Sequence, residues 1–289
     1  MDRIIIPAVG KGRRFKEAGY TESKPFIRIG PKNMLEWAID PIPRRTGADQ
    51  DWMIWLVCQY GFFHQFQAAL NKAGRSMSSE VHVLPGITEG AACSVLSVVL
   101  GFPQDEPVAV MNCDQWFSLG RMAIMHDGRP MVDGSLEETI EYSQVHDLPG
   151  LHRCAMEAGW DGFILTFPGE GTKWSYVREG PDGFIAAVAE KEPISNQATV
   201  GYYWFRRTAD LVRGIAWMIA TDRRVKGEFY LCPVYNELIR RMKRKIKAIQ
   251  VEQFWGLGTP EDVELFKQLE LGKVGASDIV GVHTERGRL

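Results

Sequence analysis

Apolar positions in the first half of the chain come in short unbroken runs, separated by segments that read as helices. The runs are RIIIPA (3–8), WMIWLVC (52–58), EVHVLP (80–85) and PVAVMN (107–112). The helical segments are 33–40, 62–74 and 91–101, the last two ended by Gly74 and Gly101. Fully apolar strands alternating with helices predict a parallel sheet covered on both faces. The rhythm then changes. Residues 120–160 are irregular and rich in Gly, Asp and Met, and carry no element in this reading. Four strands follow at 162–167, 173–179, 183–191 and 198–207, joined by turn signals such as Pro181-Asp182-Gly183. Helices over 208–221 and 233–242, a strand over 245–251 and a helix opened by Thr259-Pro260-Glu261-Asp262 complete the pattern. That opening has Thr at the N-cap, Pro at the first helical position and acids in the first turn.

No repeat, low-complexity tract or Pro/Ser-rich linker divides the 289 residues, so the expectation is one domain over 1–289. Its halves are about 1–118 and about 160–270. Residues 119–158 form an insertion, a lid or oligomer contact, and 273–289 a loosely held tail. Hydrophobic residues make up 45%, enough for a sizeable core, and the formal net charge is −2. No overall basic field favours nucleic acid, and the basic run 240–247 reads as a helix end on a solvated face. Five cysteines without a CxxC pair point to a reduced, cytoplasmic protein, and the six histidines show no metal-ligand spacing. With no signal sequence and no apolar run of membrane-spanning length, no membrane partner is expected.

The chemistry begins after the first strand. Ala8, Gly10 and Gly12 are followed by Arg14, with Lys24 just before Pro25. Ligands of open α/β sheets bind beyond the carboxyl ends of the strands, and glycines let backbone N–H groups approach an anion closely. Arg14 and Lys24 then neutralise a polyphosphate. The spacing is neither G-x-G-x-x-G, whose third glycine falls at Phe15, nor a P-loop. Asp114 follows the fourth run, where a carboxylate can hold Mg²⁺ against phosphates. Gly90 and Ala91 open the helix over 91–101, and Glu190-Lys191 end a strand as a clamp for a second anionic substrate. Trp116 and Trp174 adjoin the predicted site loops.

In this order the segments resemble the nucleotidyltransferases that make nucleotide sugars. The match comprises Gly10, Gly12, Arg14, Phe15, Lys24 and Pro25, then Gly90-Ala91-Ala92, Asp114, Glu190-Lys191-Glu192-Pro193, the 198–205 strand with Gly201, and WGLGTPEDV (255–263). It spans residues 4–266, and the combination is similar to a branch of bacterial capsule and surface-polysaccharide pathways. Lys11, Arg13 and Glu89 depart from the family's usual residues, and Pro233 stands where many relatives carry a second metal aspartate. The resemblance implies a Rossmann-like GT-A fold, α/β with a mixed, mostly parallel central sheet. It implies an NTP condensing with a phosphomonoester, a sugar 1-phosphate foremost, to release pyrophosphate. Arg14 and Lys24 would be catalytic. Ala8, Gly10, Gly12, Gly90 and Ala91 would bind nucleotide, and Glu190, Lys191 and Gly201 the acceptor. Asp114 and Glu228 would hold Mg²⁺. Phosphocholine with CTP is the alternative acceptor, and CTP is slightly favoured as donor. The rivals of other classes are a GT-A glycosyltransferase, which usually carries Asp-x-Asp where this chain has Cys113-Asp114-Gln115, and a non-catalytic nucleotide sensor.

Overall fold

The computed structural model of the protein describes residues 2–44, 52–75, 78–120, 125–126, 129–130, 145 and 147–270. The expected tail over 273–289, and most of the insertion over 119–158 with its lid or oligomer role, lie outside the described residues. The four apolar runs form β1 (Asp2–Pro7), β2 (Trp52–Gln59), β3 (Ser79–Leu84) and β4 (Val108–Met111). β1 lies between β2 and β4, β3 flanks β2, and every one of these pairings is parallel. A short β5 (Gln115–Ser118) leaves the sheet after β4. The second half adds β6 (Gly162–Pro168), β7 (Ser175–Glu179), β8 (Ile185–Glu190), β9 (Gln197–Phe205) and β10 (Ile246–Gln250). Among the described residues the sheet has nine strands, and β9 joins the halves by pairing antiparallel with β4. β9 and β8 alone run against the other seven, so the sheet is mixed but mostly co-directional.

Alternation along each strand sorts its side chains to two faces. Ile4, Ile6, Ile54 and Leu56 point to one core and Ile5, Val57, Val108 and Val110 to the other. Helices α1 (Arg13–Glu17), α2 (Met34–Ala38) and α3 (Phe63–Lys72) lie in the first third of the chain, and α4 (Ala91–Val99) follows β3. Later come α5 (Leu148–Glu157), α6 (Thr208–Ala220), α7 (Val234–Met242) and α8 (Pro260–Glu270). Leu35, Phe66, Leu70 and Leu151 bring α2, α3 and α5 to the first face. Val95, Leu211, Ile215 and Leu238 bring α4, α6 and α7 to the second. A third cluster of Phe15, Met34, Trp37 and Phe266 ties α1, α2 and α8 together beyond the sheet. No helix among the described residues is long and apolar enough to cross a membrane.

Helix α5 corrects the expectation of irregular structure over 120–160. Its Pro149-Gly150 pair reads as a breaker, yet Pro is tolerated in a first helical turn, where its missing N–H is no loss. The Asp147 side chain caps that turn by accepting from Gly150 N at 2.8 Å. Buried His152 fastens the helix to the sheet, Nδ1 lying 2.6 Å from Asp2 Oδ2 and Nε2 2.7 Å from the Tyr202 hydroxyl.

The seam between β4 and β9 contains a close approach. β9 shifts register against β6 between the pairs Ile164–Tyr203 and Thr166–Thr199, and Gly201 sits in that bulge with φ +80°. A Cβ there would lie 2.3 Å from both Asn112 Nδ2 and Gln115 Oε1. Gly201→Ala is therefore expected to destabilise the protein by roughly 1–3 kcal/mol through overpacking and a strained backbone. Urea unfolding measures the loss, and an unchanged midpoint would refute the requirement for glycine.

Candidate active site

The carboxyl ends of β1 and β4 carry the first charged wall. The loop after β1 is held by Ala8 N donating to Val57 O and by Gln59 Nε2 donating to Val9 O, both at 2.8 Å. Gly10 is exposed at its tip, and Gly12 closes against the next segment, a Cβ on it standing 3.2 Å from Lys24 Cβ. Buried Phe15 anchors the short α1, leaving its neighbour Arg14 exposed. Lys24 begins a 3₁₀ turn, Lys24–Phe26, that Pro25 pins into the protein. Its Nζ lies 2.5 Å from Asp114 Oδ2, with side chains 21% and 27% exposed. Burial alone would lower the Lys24 pKa, but the charge and hydrogen bond of Asp114 prevail and the net shift is upward. The neighbouring Cys113 thiol is pushed up to about 12, by burial first and then by the Asp114 charge, so it stays neutral and unreactive.

Asp114 is held from below. Its carbonyl accepts from Leu257 N at 2.8 Å. Strand β11 (Gln253–Gly256) pairs antiparallel with β5 and so brings the 257–262 segment to the site. Thr259 and Asp262 cap α8 as expected, Asp262 N donating to Thr259 Oγ1 at 3.2 Å. Asp262 also takes Lys173 Nζ at 2.8 Å, and that ammonium lies 4.4 Å from the Trp174 ring centroid.

The opposite wall is the end of β8. Glu190 is in register with Ser175 of β7, whose hydroxyl donates to it. Burial raises the Glu190 pKa against the lowering pull of the Ser175 hydrogen bond and Lys191. Burial likewise lowers Lys191, opposed by Glu190 and Glu228. Lys191 adopts φ +58°, its N–H donates to Trp174 O at 2.9 Å, and its ammonium donates to the Tyr230 hydroxyl while lying 4.0 Å from that ring centroid. Burial and the hydrogen bond and charge of Glu228 raise the Tyr230 phenol.

The 224–232 segment joins the Lys191 wall to the loop before α4. Phe229 N donates to Glu89 O at 2.9 Å, and Ala92 N donates to Phe229 O at 3.1 Å. Arg224 pairs with Glu89 at 2.5 Å and lies 4.1 Å from the Phe229 ring centroid. A Cβ on Gly90 would stand 2.4 Å from Phe229 O. The small residues opening α4 thus admit the chain's own backbone, and a first-turn N–H that an anion would use already has a partner.

A cleft of about 310 Å³ lies between the walls. Of the expected residues, Arg14, Lys24, Ala91, Asp114, Glu190 and Lys191 line it. Ala8, Gly10 and Gly12 form the loop preceding Arg14, Gly201 sits within the sheet under Asn112 and Gln115, and Gly90 and exposed Glu228 belong to the clasp beside Ala91 and Tyr230. The sequence reading missed Asn112, Gln115, Lys173, Thr199 and Tyr230. Trp174 lines the cleft, whereas Trp116 packs on the Phe15 cluster. Among the described residues no three His, Cys, Asp or Glu side chains converge on a metal-sized site. Asp114 fits Mg²⁺ of the kind that arrives with phosphates, bound by one or two carboxylates and substrate oxygens instead of a protein cage.

A carboxylate whose pKa is raised on folding holds its proton more tightly in the native state. Stability then falls as pH rises from the ordinary 4.5 through the raised value. Glu190→Gln removes that dependence. Melting curves between about pH 4 and pH 8 should show the variant gaining on the wild type as pH rises, and a constant difference would refute the burial cost of Glu190.

No protein-family model matches the sequence, and comparison with curated proteins gives no match. Solved structures do match. A nucleoside-diphosphate-sugar pyrophosphorylase from Vibrio cholerae superimposes with a TM-score of 0.69 at 21% identity, over 92% of this chain and 99% of that one. A UDP-glucose pyrophosphorylase complexed with UDP-glucose gives 0.64 at 16%, over 95% and 100%. The inositol-1-phosphate CTP transferase from T. maritima gives 0.63 at 14%, over 95% and 98%. The likeness runs the length of each chain, and at these identities it establishes the fold: α/β and Rossmann-like, as in those nucleotidyltransferases.

Proposed function

We propose that this chain is a nucleotidyltransferase that condenses an NTP with a sugar 1-phosphate and releases pyrophosphate. The observation that carries the reading is one cleft with two charged walls, Arg14 and the Lys24–Asp114 pair facing Glu190–Lys191. The fold it shares with pyrophosphorylases and a CTP transferase supports the same reading. In the reaction an acceptor phosphate oxygen bonds to the α-phosphorus. The bond from that phosphorus to the bridging oxygen breaks, and pyrophosphate leaves with the electron pair. A phosphomonoester is largely dianionic at neutral pH, so no side chain need remove a proton. Catalysis is then positioning and charge neutralisation.

In this reading the Ala8–Gly10–Gly12 loop carries the triphosphate and Arg14 stabilises the leaving pyrophosphate. Lys24 bridges the α-phosphate and the incoming phosphate, while Gly90 and Ala91 lie against the nucleoside. Glu190 accepts from acceptor hydroxyls, Lys191 holds the acceptor phosphate, and the Gly201 bulge shapes the floor beneath. Asp114, with Glu228 as a second carboxylate, would hold Mg²⁺, which when bound neutralises phosphate charge. A choline headgroup needs open aromatic faces. Trp174 and Tyr230 already carry the chain's own Lys173 and Lys191 at 4.4 and 4.0 Å, which favours a polyhydroxylated acceptor over phosphocholine. We assign the reaction to the cytoplasm and to the capsule and surface-polysaccharide branch, with no nucleic-acid or membrane partner, in a single domain that is free to form a homo-oligomer.

Pyrophosphate release is to be measured with Mg²⁺, each of the four NTPs, CTP included, and a panel of sugar 1-phosphates and phosphocholine. Release that requires one NTP and one sugar 1-phosphate is expected. Turnover of a nucleotide sugar without pyrophosphate would instead identify a glycosyltransferase, and NTP binding with no turnover across the panel a sensor. Lys24→Ala should lower kcat by roughly two to three decades while its circular dichroism is unchanged. Near-normal turnover would remove Lys24 from the chemistry.

A further inference from the structure

The geometry points to Lys24 as the resident counter-ion of Asp114, so that a divalent metal and the nucleotide enter this cleft as mutually dependent ligands. The inference rests on the reading that a triphosphate binds here. It goes beyond that reading by giving Lys24 a task before the nucleotide arrives. The ammonium lies 2.5 Å from Asp114 Oδ2, both side chains are largely shielded from water, and backbone fixes both residues. Pro25 and the 3₁₀ turn set the Lys24 main chain, and Gly12 packs on its Cβ. Leu257 N holds the Asp114 carbonyl, and Gly258 lies beneath its carboxylate, a Cβ there standing 3.3 Å from Oδ2.

A dication arriving alone meets a carboxylate whose charge is already cancelled. To bind, it must strand a shielded ammonium that already feels the repulsion of Arg14. A triphosphate changes this, because its oxygens give Lys24 and Arg14 new partners and release the carboxylate. Whatever factor the nucleotide adds to metal affinity, the metal must add to nucleotide affinity, since the coupling is reciprocal. The ion pair thereby guards the site against free metal and admits metal together with nucleotide.

The test is Mn²⁺ binding to the full chain without nucleotide, read by the electron paramagnetic resonance of free Mn²⁺. Lys24→Met should bind Mn²⁺ roughly tenfold or more tightly than the wild type, the scale of coupling between linked sites. Lys24→Gln keeps a donor toward Asp114 but removes the charge, and should show the same gain should the Met variant misfold. Lys24→Arg keeps the charge and should match the wild type. Asp114→Asn in the Lys24→Gln background should abolish the gain. Wild-type affinity in both uncharged variants overturns the proposal. Pyrophosphate release by the wild type, measured in parallel, separates the two readings. Release without the gain removes the counter-ion exchange and leaves nucleotidyl transfer standing, whereas the gain without release does the reverse.

Discussion

The architecture depends on the antiparallel seam where β9 lies against β4. A parallel set of strands collects its loops at one end but offers only one side of a cleft. By pairing Tyr202 with Met111 and Phe205 with Val108, β9 attaches a second group of strands to the edge of the first. Asn112 N donating to Gly201 O at 3.0 Å carries the seam one residue past β4, to the turn that presents Asp114. A side chain at position 201 would leave Asn112 and Gln115 no room beside β9.

Charge in the cleft is abundant yet largely neutralised from within. Lys24 is set against Asp114 and Lys173 against Asp262, while Glu190 accepts from Ser175 and Lys191 donates to Tyr230. Shielded charges without partners would be costly, so each pair lets the fold tolerate its site before any ligand is present. The raised Glu190 and lowered Lys191 pKa values mark where burial still exceeds that compensation. Such residual strain is expected where binding matters more than stability.

The 224–232 segment ties the Lys191 wall to the loop before α4. It holds that loop through Phe229 and Glu89, and the very next residue, Tyr230, meets Lys191.

Local pattern was enough for most of the elements. Unbroken β-branched runs, helix-ending glycines and the Thr-Pro-Glu-Asp cap act over a few residues, and the strands and helices they predict are present to within a residue or two. Ordered motifs also identified six side chains that line the cleft. The elements missed are short or carry an ambiguous local signal, among them the five-residue α1, α5, opened by a Pro-Gly pair, and the β5–β11 ribbon, whose four-residue strands show no decisive alternation. The partners of each site residue were not legible either. Lys24 meets Asp114 across 90 positions, Lys173 meets Asp262 across 89, and Phe229 closes on Glu89 and Gly90 from a distant part of the chain. Residue type and near-neighbour spacing decide what a segment can form and what chemistry it can offer. Which opposite charge, which open face and which backbone oxygen it meets is decided only when β9 closes the sheet, because those contacts depend on distances that sequence separation does not encode.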